Sequence, residues 1–304
     1  MVLVTDIYQS RSDNEAAIVV RQDPVVYPGP YARAACALSE HQLRSYRKNG
    51  FIQLRGLLSA DETAALLQEA ADLAGASGRE GWPEAVFEPG SSSVRSVFRV
   101  HGLSAAFDRL MRDGRLLDVA RQILGSEVYI HQSRLNLKPG FAGKEFYWHS
   151  DFETWHIEDG MPRMRALSCV VLLSENNEFN GPLMLVPGSH MHYISCIGKT
   201  PQDHYKASLR KQEYGVPDHT SLGFLVQRGG LHSAKGAAGT VVFFDCNTMH
   251  GSNSNISPFP RANLFFVYNS VDNRLGAPRG GLQPRPEFIA SRTGAALARL
   301  QSTA

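Results

Sequence analysis

The sequence predicts an α+β protein, mainly β, with a many-stranded sandwich or barrel at its core and helices packed outside it. Two observations carry this. Through about residue 126, apolar residues recur at helical spacing behind helix-capping patterns. From about residue 127 the period shortens to runs rich in β-branched and aromatic residues, separated by Gly, Pro and Asn clusters. Helices first and strands after read as one unit with a β core and a helical outer layer. The chain has 304 residues, of which 43% are hydrophobic and 20% charged, an ordinary globular composition. Sandwiches and barrels commonly run to about 200–250 residues as one domain, so residues 1–304 are read as a single domain.

Taken in order, residues 1–37 carry Pro24, Pro28 and Pro30 and read as an extended N-terminal arm. Ser39-x-x-Gln42 is a capping box opening a short helix that ends near Gly50. FIQLRG, residues 51–56, reads as a strand. Ser59-x-x-Glu62 is a second capping box, and Leu66, Leu67, Ala70, Leu73 and Ala74 give a helix of about four turns with one apolar face. Residues 104–124 read as two short helices broken at Gly114. The strand runs follow: VYIHQSRLNLKP, KEFYWHSDF, RALSCVVLLS, PLMLVPGSH, TVVFFDCN and ANLFFVYNSV. Residues 195–239 stand apart, polar and with few apolar periods. A long irregular segment inside a domain is usually a functional lid or disordered. This one joins the segment carrying His149 and Asp151 to the segment carrying His250, which favours a lid.

Composition excludes several classes. With 31 basic and 29 acidic residues the formal net charge is +2, which gives no pull toward nucleic acid or a membrane. The longest aliphatic run, Val170 to Leu173, is far below the roughly 20 residues of a membrane span. The N-terminus MVLVTDIYQSRSDNE becomes polar too early for a signal peptide. Cys36, Cys169, Cys196 and Cys246 show no C-x-x-C spacing and read as buried thiols rather than a disulfide framework. A reducing, cytoplasmic setting fits.

His149 and Asp151 form an H-x-D pair. On a strand, residues i and i+2 share a face, so both would point one way while Ser150 points the other. H-x-D alone is common by chance. Its context is more specific: His250 lies downstream in TMHGSNSN, followed by Ser252 and then Arg261 on the next strand. Two histidines and one carboxylate make the facial triad of non-haem Fe(II), with positions left open for a chelating co-substrate and O2. The Arg261 guanidinium can clamp a dicarboxylate bidentately, and Ser252 can add a hydroxyl. A cupin-like binding module holding Zn²⁺ or no metal is the rival, but such a barrel needs no dicarboxylate clamp. His41, His101, His131, His192, His204, His219 and His232 have no partner at ligand spacing, and His190 in PGSH supports a turn. His156, on a continuing strand, would turn to the face opposite Asp151.

In HQSRLNLKP, Gln132, Arg134, Asn136 and Lys138 share one face, and Ser133, Leu135 and Leu137 the other. A solvent-facing polar stripe is the ordinary reading. A polar wall inside a cavity is the alternative, because this strand directly precedes the metal strand and sequential strands are often neighbours. Trp155, Phe244 and Phe265 lie near the ligands in sequence. Core packing is the default for them, although aromatic faces also hold a delocalised cation, which would suit a small cationic ring.

The segment FYWHSDFETWHIEDGMPRMRALSCVVLL, Phe146 to Leu173, closely resembles the signature of the ectoine hydroxylases, in the phytanoyl-CoA-hydroxylase-like branch of Fe(II)/2-oxoglutarate dioxygenases. Agreement extends to QSRLNLKPG, GPLMLVPGSH and DCNTMHGSNSNISPFPRANLFFVYNSV. The resemblance implies a double-stranded β-helix, or jelly roll, with surrounding helices. It implies Fe(II) on His149, Asp151 and His250, and 2-oxoglutarate with its far carboxylate on Arg261 and Ser252. Lys138, Asn136 and Phe98 match further co-substrate positions. For ectoine the matching positions are Gln132, Trp155, Phe244, Asn263 and Phe265, with Arg285 in QPRPEF as a partner for the ectoine carboxylate. The implied reaction hydroxylates ectoine at C5, consuming O2 and 2-oxoglutarate and releasing succinate and CO2, in a compatible-solute pathway. A homodimer is implied as well. A related dioxygenase acting on proline or another small zwitterion is the alternative substrate reading.

Overall fold

In each long strand, alternate residues divide between a face packed on helices and a face turned to a second sheet. The computed structural model describes residues 6–12, 15–32, 37–209 and 213–300. The elements of the first part are β1 (Ile18–Val20), α1 (Glu40–Asn49), β2 (Phe51–Leu54), α2 (Ala60–Glu80), β3 (Ala85–Phe87) and β4 (Val94–Phe98). Then come α3 (Val100–Leu103), α4 (Ala105–Met111), α5 (Gly114–Leu124), β5 (Val128–Lys138), β6 (Phe146–His149) and α6 (Asp151–Asp159). Next are β7 (Ala166–Leu172), β8 (Leu183–Leu185), β9 (His192–Ile194), α7 (Tyr205–Ser208) and α8 (His219–Gly229). The remaining strands are β10 (His232–Ser233), β11 (Val241–Asp245), β12 (His250–Ser252) and β13 (Arg261–Ser270). No helix among the described residues is long and apolar enough to cross a membrane.

A major antiparallel sheet runs β2-β11-β7-β13-β5-β4-β3, and a minor one runs β10-β8-β12-β6. Leu167, Cys169, Val171, Val241, Phe243, Leu264, Phe266 and Tyr268 bury the outer face of the major sheet under helix residues such as Leu66, Leu73, Phe107, Leu116 and Ile123. Its inner face sends Val170, Leu172, Val242, Phe244 and Phe265 against Leu183 and Leu185 of the minor sheet. Two facing sheets with helices on one side are the jelly-roll arrangement expected. On β5, the partners of Val267 and Tyr268 are Gln132 and Ile130, so His131 is the extra residue of a bulge. The bulge lets Ile130 and Leu135, at odd separation, both join the outer core.

Both capping boxes form, on Ser39 and on Ser59, and Gly50 ends α1 in the left-handed conformation. Four expectations need correction. First, α2 is 21 residues long rather than about four turns. Gly75 and Gly78 do not stop it, because Ala70, Leu73 and Ser77 remain buried along one face before Gly81 ends it. Second, the two short helices of 104–124 form as α4 and α5, but the break between them falls at Arg112 and Asp113, and Gly114 opens α5 because the Asp113 side chain accepts from the Arg115 N–H as its cap. Third, the strand carrying His149 stops there, and Asp151 opens α6. Fourth, residues 195–239 contain α8, capped by Asp218, with Leu222, Phe224, Leu225 and Val226 packed in an apolar cluster. The N-terminal arm is part of the fold, for β1 pairs with β9 and Tyr8 joins a buried cluster with Phe152 and Trp155.

Gly160 ends α6 at φ 72, and a Cβ there would lie 2.4 Å from the Ala277 carbonyl oxygen. The same residue accepts from the Gly276 N–H at 2.9 Å, tying the C-terminal segment to the helix. Gly160→Ala therefore combines left-handed strain with a backbone clash, and should cost more than about 2 kcal/mol, read as a lower thermal midpoint.

Candidate active site

β6 and β12 pair so that His250 stands directly opposite His149, and the two imidazole centroids are 4.2 Å apart. Ser150 continues extended, at φ −105 and ψ 128, and carries Asp151 into the first position of α6 on the same side as His149. Asp151 Oδ1 lies 3.8 Å from His149 Nε2 and 3.9 Å from His250 Nε2. One ligand atom from each of the three lies within 4.8 Å of the others, and all three residues are buried.

The neighbouring contacts aim these atoms. His149 Nδ1 is 2.6 Å from the Tyr147 carbonyl oxygen, and His250 Nδ1 is 2.9 Å from that of Thr248. In each ring Nδ1–H donates to that oxygen, leaving an Nε2 lone pair turned inward. Asp151 Oδ2 accepts from Ser168 Oγ at 3.1 Å, which leaves Oδ1 for a metal. Burial, then the adjacent His250, pushes His149 down to about 3. Burial also lowers His250. Burial would raise Asp151, but His250, His149, Arg134 and the Ser168 hydroxyl outweigh it and hold its pKa down. Two neutral imidazoles and one carboxylate, desolvated and facing one point, fit Fe(II).

Two cavities flank the triad, sharing Arg134, Phe146 and His149 on their walls. The first places Asn136, Ser252, Arg261, Asn263 and Phe265 around His250. Arg261 Nη2 donates to Asn136 Oδ1 at 2.7 Å and Nη1 to the Gly181 carbonyl. Its Nε and both polar atoms of Asn263 are buried without a partner. Burial, then Arg95, lowers Arg261 to about 9, and burial with Arg261 and Arg95 lowers Lys138 to about 6. Buried cations that repel one another, beside unpartnered polar atoms, suit an anionic ligand. The second cavity joins Phe98, Gln132, Thr154, Trp155, Glu158 and Arg285 to His149 and Asp151.

The polar face of β5 is thus a cavity wall and not a solvent-facing stripe. Some residues stand apart from the position expected. Phe244 lines neither cavity, being fully buried in the core with its ring 4.8 Å from that of His250. Lys138 turns its amine to the carbonyls of Lys144 and Asn253, fastening two loops behind Arg261. Arg285 reaches its cavity but is forked onto Asp159, at 2.7 and 2.6 Å. Phe98 sits with Gln132 and Trp155 rather than beside Arg261. Trp155 and His156 lie on α6, not on a strand, and His156 bonds Met161 and Asp6 away from the triad. His131 is buried 3.2 Å from Asp159 and edge-on to Trp155.

Reading α6 as strand hid Thr154 and Glu158. A helical period places Asp151, Thr154, Trp155 and Glu158 along one side at i, i+3, i+4 and i+7. Arg134 was visible in the β5 alternation, and its guanidinium lies over the Phe265 ring at 4.9 Å. Ser168 gave no sequence signal.

Residues 46–263 match the family described as phytanoyl-CoA dioxygenase (PhyH). The ectoine dioxygenase of Bordetella bronchiseptica is 63% identical over 287 residues, covering 94% of this chain and 92% of that protein. This chain belongs to the ectoine dioxygenases of the phytanoyl-CoA dioxygenase family. Among solved structures, EctD from S. alaskensis with 2-oxoglutarate and 5-hydroxyectoine aligns with a TM-score of 0.87 at 49% identity, covering 97% of this chain and 98% of that one. EctD from S. alaskensis with bound Fe aligns with a TM-score of 0.85 at 49% identity, covering 96% and 97%. These relatives bring the fold, the triad and the anion-suited cavity of this dioxygenase into one frame.

Ser168 offers a test of the metal site that leaves all three ligands in place. Ser168→Ala should weaken Fe(II) affinity by roughly ten- to a hundred-fold, as loss of a ligand-orienting hydrogen bond does elsewhere. Calorimetric titration of the apoprotein with Fe(II) under anaerobic conditions reads this directly, and an unchanged affinity would remove Ser168 from the site.

Proposed function

We propose that this chain hydroxylates ectoine at C5 to 5-hydroxyectoine, as an Fe(II)- and 2-oxoglutarate-dependent dioxygenase. The observation that carries the reading is the buried His149–Asp151–His250 cluster, set in a chain 63% identical to an ectoine dioxygenase along almost its whole length.

When bound, Fe(II) and 2-oxoglutarate supply the oxidative chemistry, in which O2 is consumed, succinate and CO2 are released and one oxygen atom enters the substrate C–H bond. The protein supplies ligands, orientation and exclusion of water. His149 and His250 offer neutral imidazole nitrogens, and Asp151 offers the oxygen that Ser168 leaves free. Arg261, with Ser252, Asn136 and Asn263 beside it, holds the far carboxylate of 2-oxoglutarate. Lys138 acts behind them, bracing the two loops whose carbonyls it binds. Arg134, on the wall common to both cavities, supplies positive charge next to the triad.

Ectoine takes the second cavity, with C5 toward the metal. Gln132 and Arg285 meet its polar groups, Trp155 and Phe98 hold its ring, and Phe265 bounds the passage to the co-substrate. Phe244 contributes by packing on the His250 ring. The segment 195–239 covers this cavity from outside, a role supported by Leu209 and Tyr214 on its wall. The whole chain acts as one dioxygenase unit. We place it in the cytoplasm, which the free buried thiols of Cys169, Cys196 and Cys246 support, and read it as a homodimer by resemblance to the ectoine hydroxylases.

Ectoine incubated with the protein, Fe(II), 2-oxoglutarate and O2 should gain one oxygen atom by mass spectrometry. Alanine at His149, Asp151 or His250 should abolish that product, and normal turnover by Asp151→Ala would sink the site. Arg261→Ala should raise the KM for 2-oxoglutarate, since truncating one member of a buried charged pair costs about 2–5 kcal/mol. An unchanged KM would count against the clamp. Trp155→Ala should weaken ectoine binding and release succinate without product; unaltered binding returns Trp155 to the core.

A further inference from the structure

Arg11 lies in the N-terminal arm, outside every motif discussed above, yet its side chain is buried among the residues behind the ectoine cavity. It holds a left-handed backbone at φ 54, a conformation that a non-glycine residue adopts at some cost. Its N–H donates to the Cys196 carbonyl at 2.8 Å. The guanidinium uses all five of its N–H groups. Nε and Nη2 fork onto the Glu153 carboxylate at 3.0 and 2.8 Å. Nη2 also reaches Thr154 Oγ1 at 3.0 Å, and Nη1 reaches the Glu158 carboxylate and, at 2.9 Å, Thr200 Oγ1. The side chains of Arg11, Glu153 and Glu158 are 2%, 1% and 5% exposed.

Two of these partners, Thr154 and Glu158, line the cavity that also holds Trp155, His149 and Asp151. A third, Thr200, belongs to the segment lying over that cavity. The other oxygen of Glu158 stands 3.8 Å from Arg285 Nε. One planar cation therefore fixes the rotamers of two cavity-lining side chains, and through Glu158 bears on a third. It also joins α6 to the covering segment. A lysine could match the charge but not the fork.

We propose that Arg11 is a positioning residue for ectoine: from the N-terminal arm it sets Thr154 and Glu158 on the cavity wall and ties the covering segment to α6 at Thr200. The inference rests on the reading of the second cavity as the ectoine site. It predicts that the arm, read from sequence only as an extended segment, determines substrate binding while leaving the metal and co-substrate side alone.

The test compares wild type with Arg11→Lys, which keeps the buried charge. A charge-balanced double variant, Arg11→Gln with Glu153→Gln, carries the test if the single variant does not fold. Expected are a rise in ectoine KM and in calorimetric ectoine Kd of between roughly ten- and a hundred-fold, the scale of misplacement effects. More succinate per 5-hydroxyectoine and faster tryptic cleavage after Lys206 are also expected. Fe(II) and 2-oxoglutarate affinities should stay within about twofold of wild type, which a general loss of structure would not allow. Wild-type ectoine binding and coupling in the folded variant would overturn the proposal, as would a parallel fall in all three affinities. Failure of the wild-type protein to hydroxylate ectoine would instead overturn the functional reading beneath it.

Discussion

The register between β5 and β13 decides which side chains face the metal triad. Arg261 pairs with Lys138, Asn263 with Asn136, Phe265 with Arg134 and Val267 with Gln132, so the polar residues of both strands share the inner face. A slip of β5 by one residue would turn its polar residues into the helix layer and bring Leu135 into the cavity, and a slip of β13 would do the same with Leu264 and Phe266. Those three apolar residues are fully buried on the outer face, and their burial opposes the slip. Hydrophobic packing on one side of the sheet thereby sets the chemistry available on the other.

That inner face concentrates positive charge where solvent is absent. Arg261, Lys138 and Arg134 all have their charged forms disfavoured by burial. Backbone carbonyls of Gly181, Lys144 and Asn253 compensate in part, but carbonyl dipoles do not replace a counter-ion. An entering dicarboxylate provides one. Co-substrate binding there, as proposed, would relieve a cost already present in the folded chain, and by mass action a ligand that binds only the folded form also stabilises it. The triad has the complementary problem of a single buried carboxylate between two neutral rings, and a divalent cation completes it.

Much of this was legible in sequence because it depends on periodicity. The β5 alternation marked one polar face, the capping boxes on Ser39 and Ser59 marked two helix starts, and H-x-D with a distant His, Ser and Arg marked the site. The losses arose where long-range packing overrode local pattern. Nothing near Gly75 and Gly78 in sequence shows that α2 continues through them, because burial of Ala70, Leu73 and Ser77 along one face decides it. The apolar cluster around α8 is likewise invisible among the polar residues of 195–239. Arg11 bonds residues more than 140 positions away, and no local signal could have singled it out. Phe244 and Phe265 both sit close to the ligands in sequence, yet only the strand register puts Phe265 on the wall and Phe244 behind a ligand.

The most consequential difference is the change from strand to helix between His149 and Asp151. Continued as a strand, the chain would carry successive residues away from the metal at more than 3 Å each, and only alternate side chains would face the cavity. As a helix it rises about 1.5 Å per residue and returns Thr154, Trp155 and Glu158 to the side of Asp151. The helix start also places the Asp151 carboxylate in the first turn, at the positive end of the helix dipole, which offsets part of its burial cost. One nine-residue helix then carries Asp151 of the triad at its first position and the cavity-lining groups Thr154, Trp155 and Glu158 one and two turns on. The distance from the triad to these cavity-lining groups is set within a single helix. That is how a fold with two cavities on one triad can direct attack to one carbon of a small ring.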